Sequence, residues 1–209
     1  MLFRSQPEAV ILLTVGLTGD VGAGKSTLSR VWKDMGATVI DADRVARDMW
    51  DLPEIRKKAS ERWGSDFFEG DQRSVFAKIA AKIFSEEREY EFVSDLLHPA
   101  TIAAIEKFVK DAEGLVVVEI PLLFECGRPE WMDLVVFVSA TPEKRVERNA
   151  SRGWDAAEIK RRESRLMPRD EKIRRSDWVL ENSGTKEEWE AKARELGNIF
   201  LEKERSSRS

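Results

Sequence analysis

Cysteine occurs once in the 209 residues, at Cys126, and histidine once, at His98. A single thiol excludes an intrachain disulfide and any cysteine-based metal cluster, and it points to a reducing, cytoplasmic setting. A surplus of positive charge is missing too: 35 Lys and Arg against 39 Asp and Glu leave a net charge of -4. That balance argues against a general nucleic-acid binder, because affinity for a phosphate backbone needs excess cations. No apolar run reaches the length needed to span a bilayer, so no membrane partner is expected. Arg4 followed by AVILLTVGL (Ala9 to Leu17) has the outline of a secretion signal. It lacks a small-residue cleavage site, however, and flows straight into a glycine-rich motif of the kind that follows a buried strand. Internal repeats and long low-complexity linkers are also lacking. What remains, 42% hydrophobic and 35% charged, is the composition of a folded chain with one good core and room for an inserted subdomain.

Apolar, β-branched runs stand at Val10 to Leu17, Thr38 to Ile40, Leu115 to Ile120, Leu134 to Val138 and Trp178 to Leu180. Several are too continuous for half-exposed strands, and helical patterns separate them. The spacing predicts an α/β fold, a parallel sheet covered by helices on both faces. A helix from Ser26 to about Met35 should bury Leu28, Val31, Trp32 and Met35 and stop at Gly36. Between Arg47 and His98 the strand signal disappears, and EIRKKASERW, RSVFAKIAAKIF and REYEFVSDLL read as amphipathic helices. A further helix is expected from Pro99 to about Ala112, with the proline in its first turn. The expected organisation is a core made of 1–47, 99–142 and 176–200, a helical insertion at 48–98, a charged segment at 143–175 and a frayed tail at 201–209. The charged segment holds twelve Lys and Arg against seven Asp and Glu. Alternating charge of this kind also describes a solvated helical face.

Gly19 to Ser26, GDVGAGKS, fits the phosphate-loop (Walker A) pattern between an apolar strand and an amphipathic helix. Glycines let the backbone close around phosphates with N–H groups pointing inward, and the helix N-terminus adds the positive end of its dipole. Gly19, Asp20, Val21, Gly22, Ala23, Gly24, Lys25, Ser26 and Thr27 are therefore the expected nucleotide contacts. Lys25 would reach the terminal phosphates, and Ser26 would ligate Mg2+ beside ATP. Glu119, at the end of the third strand, stands where such proteins often carry an acidic residue near the ion. The fold is thus expected to be of the P-loop NTPase type. An Asn-Lys-x-Asp base-reading motif and a transporter signature segment are both absent, which argues against guanine switches and transporter ATPases. Asp41 and Asp43, in the DAD segment, fall at the C-terminal end of the second strand, the side where open sheets bind ligands.

GLTGDVGAGKST, GATVIDADRVAR, LLHP (Leu96 to Pro99), EIPLLFE (Glu119 to Glu125) and LMPRDEKIRRSDWVLENSG appear in this order. Together they resemble the dephospho-CoA kinase family, over nearly the whole chain from about Val15 to Phe200. The resemblance implies transfer of the γ-phosphoryl of ATP to the ribose 3'-hydroxyl of dephospho-CoA. It further implies a helical acceptor-binding insertion at 48–98 and a helical lid at 143–175, with ATP and dephospho-CoA as small-molecule partners and a monomer as the expected state, higher oligomers left open. It assigns Asp43 the handling of the attacking hydroxyl's proton, with Asp41 in support; helix capping is the plain alternative for both. Arg47, one turn on, either meets substrate phosphate or pairs with Asp43. His98 belongs to the acceptor side, capping a helix, with substrate contact as the second option. Phe124 is a candidate substrate neighbour, although core packing explains it as well. Trp63, Phe67 and Phe68 offer an aromatic platform or, more simply, a core.

Arg148 and Arg152, four apart on a predicted helix and hence on one face, are the lid cations expected at the ATP phosphates, Arg148 first. Two departures from the family pattern stand out. Asp20 occupies a position usually glycine, which adds negative charge near the phosphates, and Leu166 replaces the glutamine usual before Met-Pro. Another P-loop small-molecule kinase, or a nucleotide-binding regulatory protein without transfer activity, would share the loop and differ in what it does with the phosphate.

Overall fold

The computed structural model describes residues 12–164 and 166–206, apart from the side chain of Phe84. Contacts divide the chain into two compact units. Among the described residues, one holds 12–41 together with those from Val109 to Ser206, and the other is Ala42–Phe108.

The first unit is built on a five-stranded sheet with strand order β2-β3-β1-β4-β5. Its strands are β1 (Leu12–Gly19), β2 (Thr38–Asp41), β3 (Gly114–Glu119), β4 (Leu134–Ser139) and β5 (Trp178–Glu181), and every pairing is parallel. These are the five apolar runs of the sequence. Val10 and Ile11, expected in the first strand, lie outside the described residues. The fourth to sixth strand residues of β1 pair with β3 on one side and β4 on the other, Leu17 opposite Glu119 and Val136. The connection from β1 runs to β2 and that from its neighbour β3 runs the opposite way to β4, so the order reverses between β1 and β3, the place where open sheets bind ligands at the C-terminal ends of their strands.

The first helix, α1 (Lys25–Asp34), buries Leu28, Val31 and Trp32 of the stripe expected of it, together with Ser29, while Met35, also expected there, follows the helix and is only partly buried. The helix shares a core with Leu13, Val15 and Leu17 and with Ala193, Leu196 and Phe200 of the last helix. The buried Trp32 indole donates to the Ala193 carbonyl at 2.7 Å, so even its polar atom is satisfied.

In the second unit, α2 (Ala42–Met49), α3 (Pro53–Trp63), α4 (Gln72–Ser85) and most of α5 (Glu87–Lys110) surround a separate core of Trp50, Ile55, Ala59, Val75, Ile79, Val93 and Leu97. Trp63 packs 4.6 Å from Phe67, centroid to centroid, with Phe68 and Phe92 close by, so the aromatic platform is core packing. Glu89 accepts from the Arg62 guanidinium at 3.0 Å and from the Trp63 indole at 2.7 Å, which fixes the edge of this cluster.

Three expectations need correction here. Pro99 does not begin a helix: α5 runs unbroken through it. The ring denies the Asp95 carbonyl its helical donor, yet Val93, Leu97, Thr101, Ile105 and Val109 form one buried stripe at four-residue spacing across that point. Continuous burial outweighs one lost bond. The helical unit is consequently wider than 48–98, because α2 and α5 carry it past both expected borders. The tail is not frayed from residue 201, since the last helix continues to Ser206 with Phe200 and Glu204 buried; residues 207–209 lie outside the described set.

The remaining elements of the first unit are α6 (Leu123–Cys126), α7 (Pro142–Asn149), α8 (Ala156–Glu163), α9 (Arg169–Arg175) and α10 (Lys186–Ser206). Among the described residues, no helix is long and apolar enough to cross a membrane.

Candidate active site

Residues 19–24 join β1 to α1 at the C-terminal edge of the sheet. Gly24 sits in the left-handed region, φ 99°, at the helix entrance. A side chain there would also strike the Asn182 amide, so this position excludes every residue but glycine on two counts. No side chain caps α1. First-turn amides of a helix lack intrahelical acceptors, and at Ser26 and Thr27 they are thus available to an anion. The Lys25 ammonium donates to the carbonyls of Gly19 and Asp20 at 3.0 and 3.1 Å, which holds it over the loop.

The outer side of the loop is gripped by the charged segment. Arg145, only 8% exposed, donates from Nε to the Val21 carbonyl at 3.0 Å and pairs through Nη2 with Glu163. The same Glu163 oxygen accepts the Val21 N–H at 3.2 Å. Arg148 makes long contacts of 3.5 and 3.4 Å to the Gly22 and Ala23 carbonyls and a bond of 3.0 Å to Asn182 Oδ1. Asn182 Nδ2 returns to the Ala23 carbonyl at 2.8 Å. Arg169 Nε lies 3.1 Å from each Asp20 carboxylate oxygen. The negative charge that Asp20 adds to the loop is thus met by a cation.

Arg148 and Arg152 do not share a helix face. The α7 helix ends at Asn149, and Arg152 belongs to a short 3-10 turn closed by Gly153 at φ 70°. Arg152 instead donates to Asn149 Oδ1 at 3.2 Å and lies over Trp154.

On the other side of the loop, Ser29 donates to Glu119 Oε2 at 2.9 Å. Ser26 is exposed one helical turn before Ser29, on the same face, and Asp41 stands opposite Glu119 in the sheet. Ser26, Glu119 and Asp41 form a set of hard oxygen donors. Among the described residues no group of three His, Cys, Asp or Glu could hold a metal by itself. Such a set suits Mg2+, which retains water and takes one or two protein oxygens together with substrate phosphates.

A cleft of about 370 Å3 opens beside Gly24 and Thr27, lined by Arg148, Asn182, Gly184, Thr185 and Trp189. Phe124 is 6% exposed, so packing accounts for its ring. Glu125, in the same short helix α6, accepts the Met167 N–H at 2.9 Å and the Lys172 ammonium at 2.7 Å, tying residues 167–172 to the end of β3.

Asp43 is not at a strand end: β2 stops at Asp41, and Asp43 is an exposed residue in the first turn of α2. Arg47, one turn on, places its guanidinium 5.5 Å from the Phe76 ring centroid. His98 does not cap a helix beginning at Pro99, since it lies inside α5, and it is half-buried. Burial pushes its pKa below the ordinary imidazole value against a smaller opposing pull from Asp95. The helical insertion's candidates and the phosphate loop belong to different compact units.

Sequence reasoning passed over Arg145, Glu163, Arg169 and Asn182. Only Asn182 carried a usable signal, since it comes two residues after the last apolar run and so had to emerge at the sheet's C-terminal edge.

The dephospho-CoA kinase family model matches residues 13–188. A dephospho-CoA kinase of Corynebacterium diphtheriae is 35% identical over 192 residues, 89% of this chain and 96% of that protein. One from Deinococcus radiodurans is 38% identical over 81% of this chain and 84% of its own length. Among solved structures, TT1252 from Thermus thermophilus superposes with a TM-score of 0.73 at 29% identity, covering 92% of this chain and 98% of that one. Dephospho-CoA kinase from Campylobacter jejuni, at 19% identity and a TM-score of 0.69 over 90% and 97% of the two chains, shares the fold. With the match running from the phosphate-loop strand into the last helix, and relatives above 30% identity aligned over most of their length, the chain belongs to the dephospho-CoA kinase family.

Proposed function

We propose that this chain transfers the γ-phosphoryl group of ATP to the ribose 3'-hydroxyl of dephospho-CoA, with Asp43 as proton acceptor and with Lys25 and Arg148 as the cations that steady the phosphates. The reaction follows from family membership; the residue roles are our assignment. What supports the roles of Lys25 and Arg148 is the phosphate loop itself, with an uncapped helix N-terminus, Lys25 folded over it and Arg148 at its rim; the role of Asp43 rests on the family resemblance.

Phosphoryl transfer asks a protein mainly to position and to neutralise, since the transferred group carries its charge on equatorial oxygens. The amides of residues 22–27 would donate to the phosphates while Lys25 supplies a mobile positive charge. Arg148 would exchange its long carbonyl contacts for phosphate oxygens, and Arg152, directed at Trp154, takes a lesser part. Ser26 and Glu119, with Asp41 beside it, would hold Mg2+, which when bound supplies further positive charge against the nucleotide. The cleft lined by Arg148, Asn182, Gly184 and Trp189 is the best placed for the nucleotide base. On the acceptor side, Asp43 accepts the 3'-hydroxyl proton as oxygen attacks phosphorus and the bond to ADP breaks. Arg47 and His98 would contact the acceptor, His98 as a neutral imidazole. We further propose that the enzyme is cytoplasmic and monomeric and has no nucleic-acid partner, in keeping with its single thiol and net negative charge.

Purified protein incubated with γ-labelled ATP and a panel of dephospho-CoA, nucleosides and shikimate tests this reading. Label should appear in coenzyme A. Transfer to a nucleoside or shikimate but not to dephospho-CoA would overturn the acceptor, and nucleotide binding without any transfer would indicate a regulatory protein.

A further inference from the structure

We propose that Arg169 is the counter-ion that allows this chain to carry an acidic residue inside its phosphate loop, and that the Asp20–Arg169 pair thereby sets the affinity for the nucleotide's phosphates. The inference rests on ATP binding at the loop, as argued above.

Asp20 is the second residue of the loop, and its side chain is 4% exposed. It cannot turn away. Its N–H donates to the Val138 carbonyl at 2.9 Å, and its own carbonyl accepts the Ala23 N–H at 3.2 Å and the Lys25 ammonium at 3.1 Å. A triphosphate bound by the same loop brings charge of the same sign within a few ångströms of that carboxylate. At effective dielectric constants near 20, one unsatisfied charge at such separations shifts binding on the order of tenfold or more. Arg169 removes the difficulty, its Nε equidistant from the two carboxylate oxygens and its guanidinium 6.0 Å from the Phe137 ring centroid. Two groups of the same stretch hold it in place: the Lys172 ammonium, one turn later in α9, pairs with Glu125, and the Met167 main-chain N–H donates to the same carboxylate.

The two departures from the family pattern converge at this point. Leu166, where glutamine is usual, lines the same small cavity of about 80 Å3 as Asp20, Met167, Pro168 and Arg169. An apolar residue there offers the carboxylate no hydrogen bond, and Lys172, which lines the same cavity, is paired with Glu125, so the cation that meets Asp20 is Arg169. Asp20 and Arg169 are positioning residues in this account, acting through the loop.

Calorimetric titration of the full-length chain with ATP and with ADP tests the pair, using wild type, Asp20→Asn, Arg169→Gln and the double variant. Arg169→Gln should weaken ATP binding by about tenfold or more, and ADP binding less, because repulsion grows with phosphate charge. Turnover assays should show the loss in KM for ATP rather than in kcat. Asp20→Asn should bind ATP a few-fold tighter than wild type, and the double variant should return to within about threefold of it. A double variant as weak as Arg169→Gln would overturn the proposal, as would equal losses for ATP and ADP. If Arg169→Gln does not fold, Asp20→Asn decides alone: unchanged or weaker ATP binding overturns the pair. Failure of wild type to bind ATP would sink the donor-site reading and this inference with it, whereas normal wild-type binding with an unaffected Arg169→Gln sinks the pair alone.

Discussion

Replacing Arg145 by methionine should loosen the phosphate loop from behind, and the size of the effect can be worked from its contacts. The Arg145 side chain is 10% exposed, bonded to the Val21 carbonyl and paired with Glu163, whose side chain is 28% exposed and also holds the Val21 N–H. Methionine keeps most of the apolar stem and removes the charge. Breaking a fully buried pair from one side costs about 3–5 kcal/mol, but water reaching the partly exposed Glu163 reduces this to about 2–3 kcal/mol. For a chain of this size that is a fall in Tm of about 5–10 °C. Removing both charges, in Arg145→Met with Glu163→Leu, should cost only about 1 kcal/mol, because no buried charge is stranded. Thermal melts followed by near-ultraviolet circular dichroism give all four corners of the cycle. A double variant at least as unstable as the two singles combined, or Arg145→Met melting within a degree of wild type, would refute the reasoning.

Asp43→Asn should lower turnover by about a hundredfold or more while ATP affinity, measured by calorimetry, stays near wild type; unchanged kcat would remove Asp43 from the chemistry. In the helical unit, hydrogen bonds from Arg62 and then Trp63 hold the Glu89 carboxyl down at about 2, against the opposing effect of burial. Because this folded value lies below the ordinary glutamate range, the stabilisation is present above that range and is lost as pH falls toward 2. With Arg62 a third exposed, it amounts to about 1–2 kcal/mol. Urea melts at pH 6 and pH 3 should therefore show a larger acid loss for wild type than for Glu89→Gln, and parallel losses would contradict this origin. Gly197→Ala places a Cβ 2.8 Å from Trp32 Cδ1 and 2.9 Å from Met35 Cε, and should destabilise by about 1–3 kcal/mol. An alanine variant melting at the wild-type temperature would show that the α1 and α10 packing yields more easily than its burial implies.

The sheet was legible because parallel strands buried on both faces must be continuously apolar, and Leu115 to Ile120 or Leu134 to Val138 admit no other reading. The phosphate loop was legible because its chemistry is local: glycines, Lys25 and Ser26 lie within one short segment. Legibility failed where a local rule competed with burial. Pro99 looked like a helix start, yet the stripe from Val93 to Val109 carries α5 through it. Helix α2 went unseen because only Ala42 and Val45 of its eight residues are buried, too few to show a period, so Asp43 was assigned to a strand end. Arg152 leaves the face of Arg148 because the 3.6-residue period stops at Asn149, where α7 ends and the 3-10 turn that holds Arg152 begins. Asn182 and Ala23 are 159 residues apart, and no spacing rule joins them.

The charged segment from Glu143 to Arg175 shows why a count of charges could not separate a solvated face from a working one: it is both. Lys144 with Glu147, Arg161 and Arg162 with Glu158, and Arg175 with Glu171 are pairs three or four residues apart along one helix. Exposed pairs of that kind contribute little to stability. Arg145, Arg148, Arg169 and Lys172 behave differently, because each reaches out of its own helix to a partner on the phosphate loop, to Asn182 after β5, or to Glu125 after β3. Three of them end on oxygens of the loop itself: Arg145 on the Val21 carbonyl, Arg148 on the Gly22 and Ala23 carbonyls and Arg169 on the Asp20 carboxylate; a guanidinium that bonds such oxygens can equally bond phosphate oxygens. Cations held by such acceptors before the nucleotide arrives are already near their working positions, so less ordering remains to be done on binding. On the proposed reading, a phosphate would draw Arg148 off its two long carbonyl contacts at small cost, while Arg145 and Arg169, each facing a carboxylate at close range, would stay on the protein.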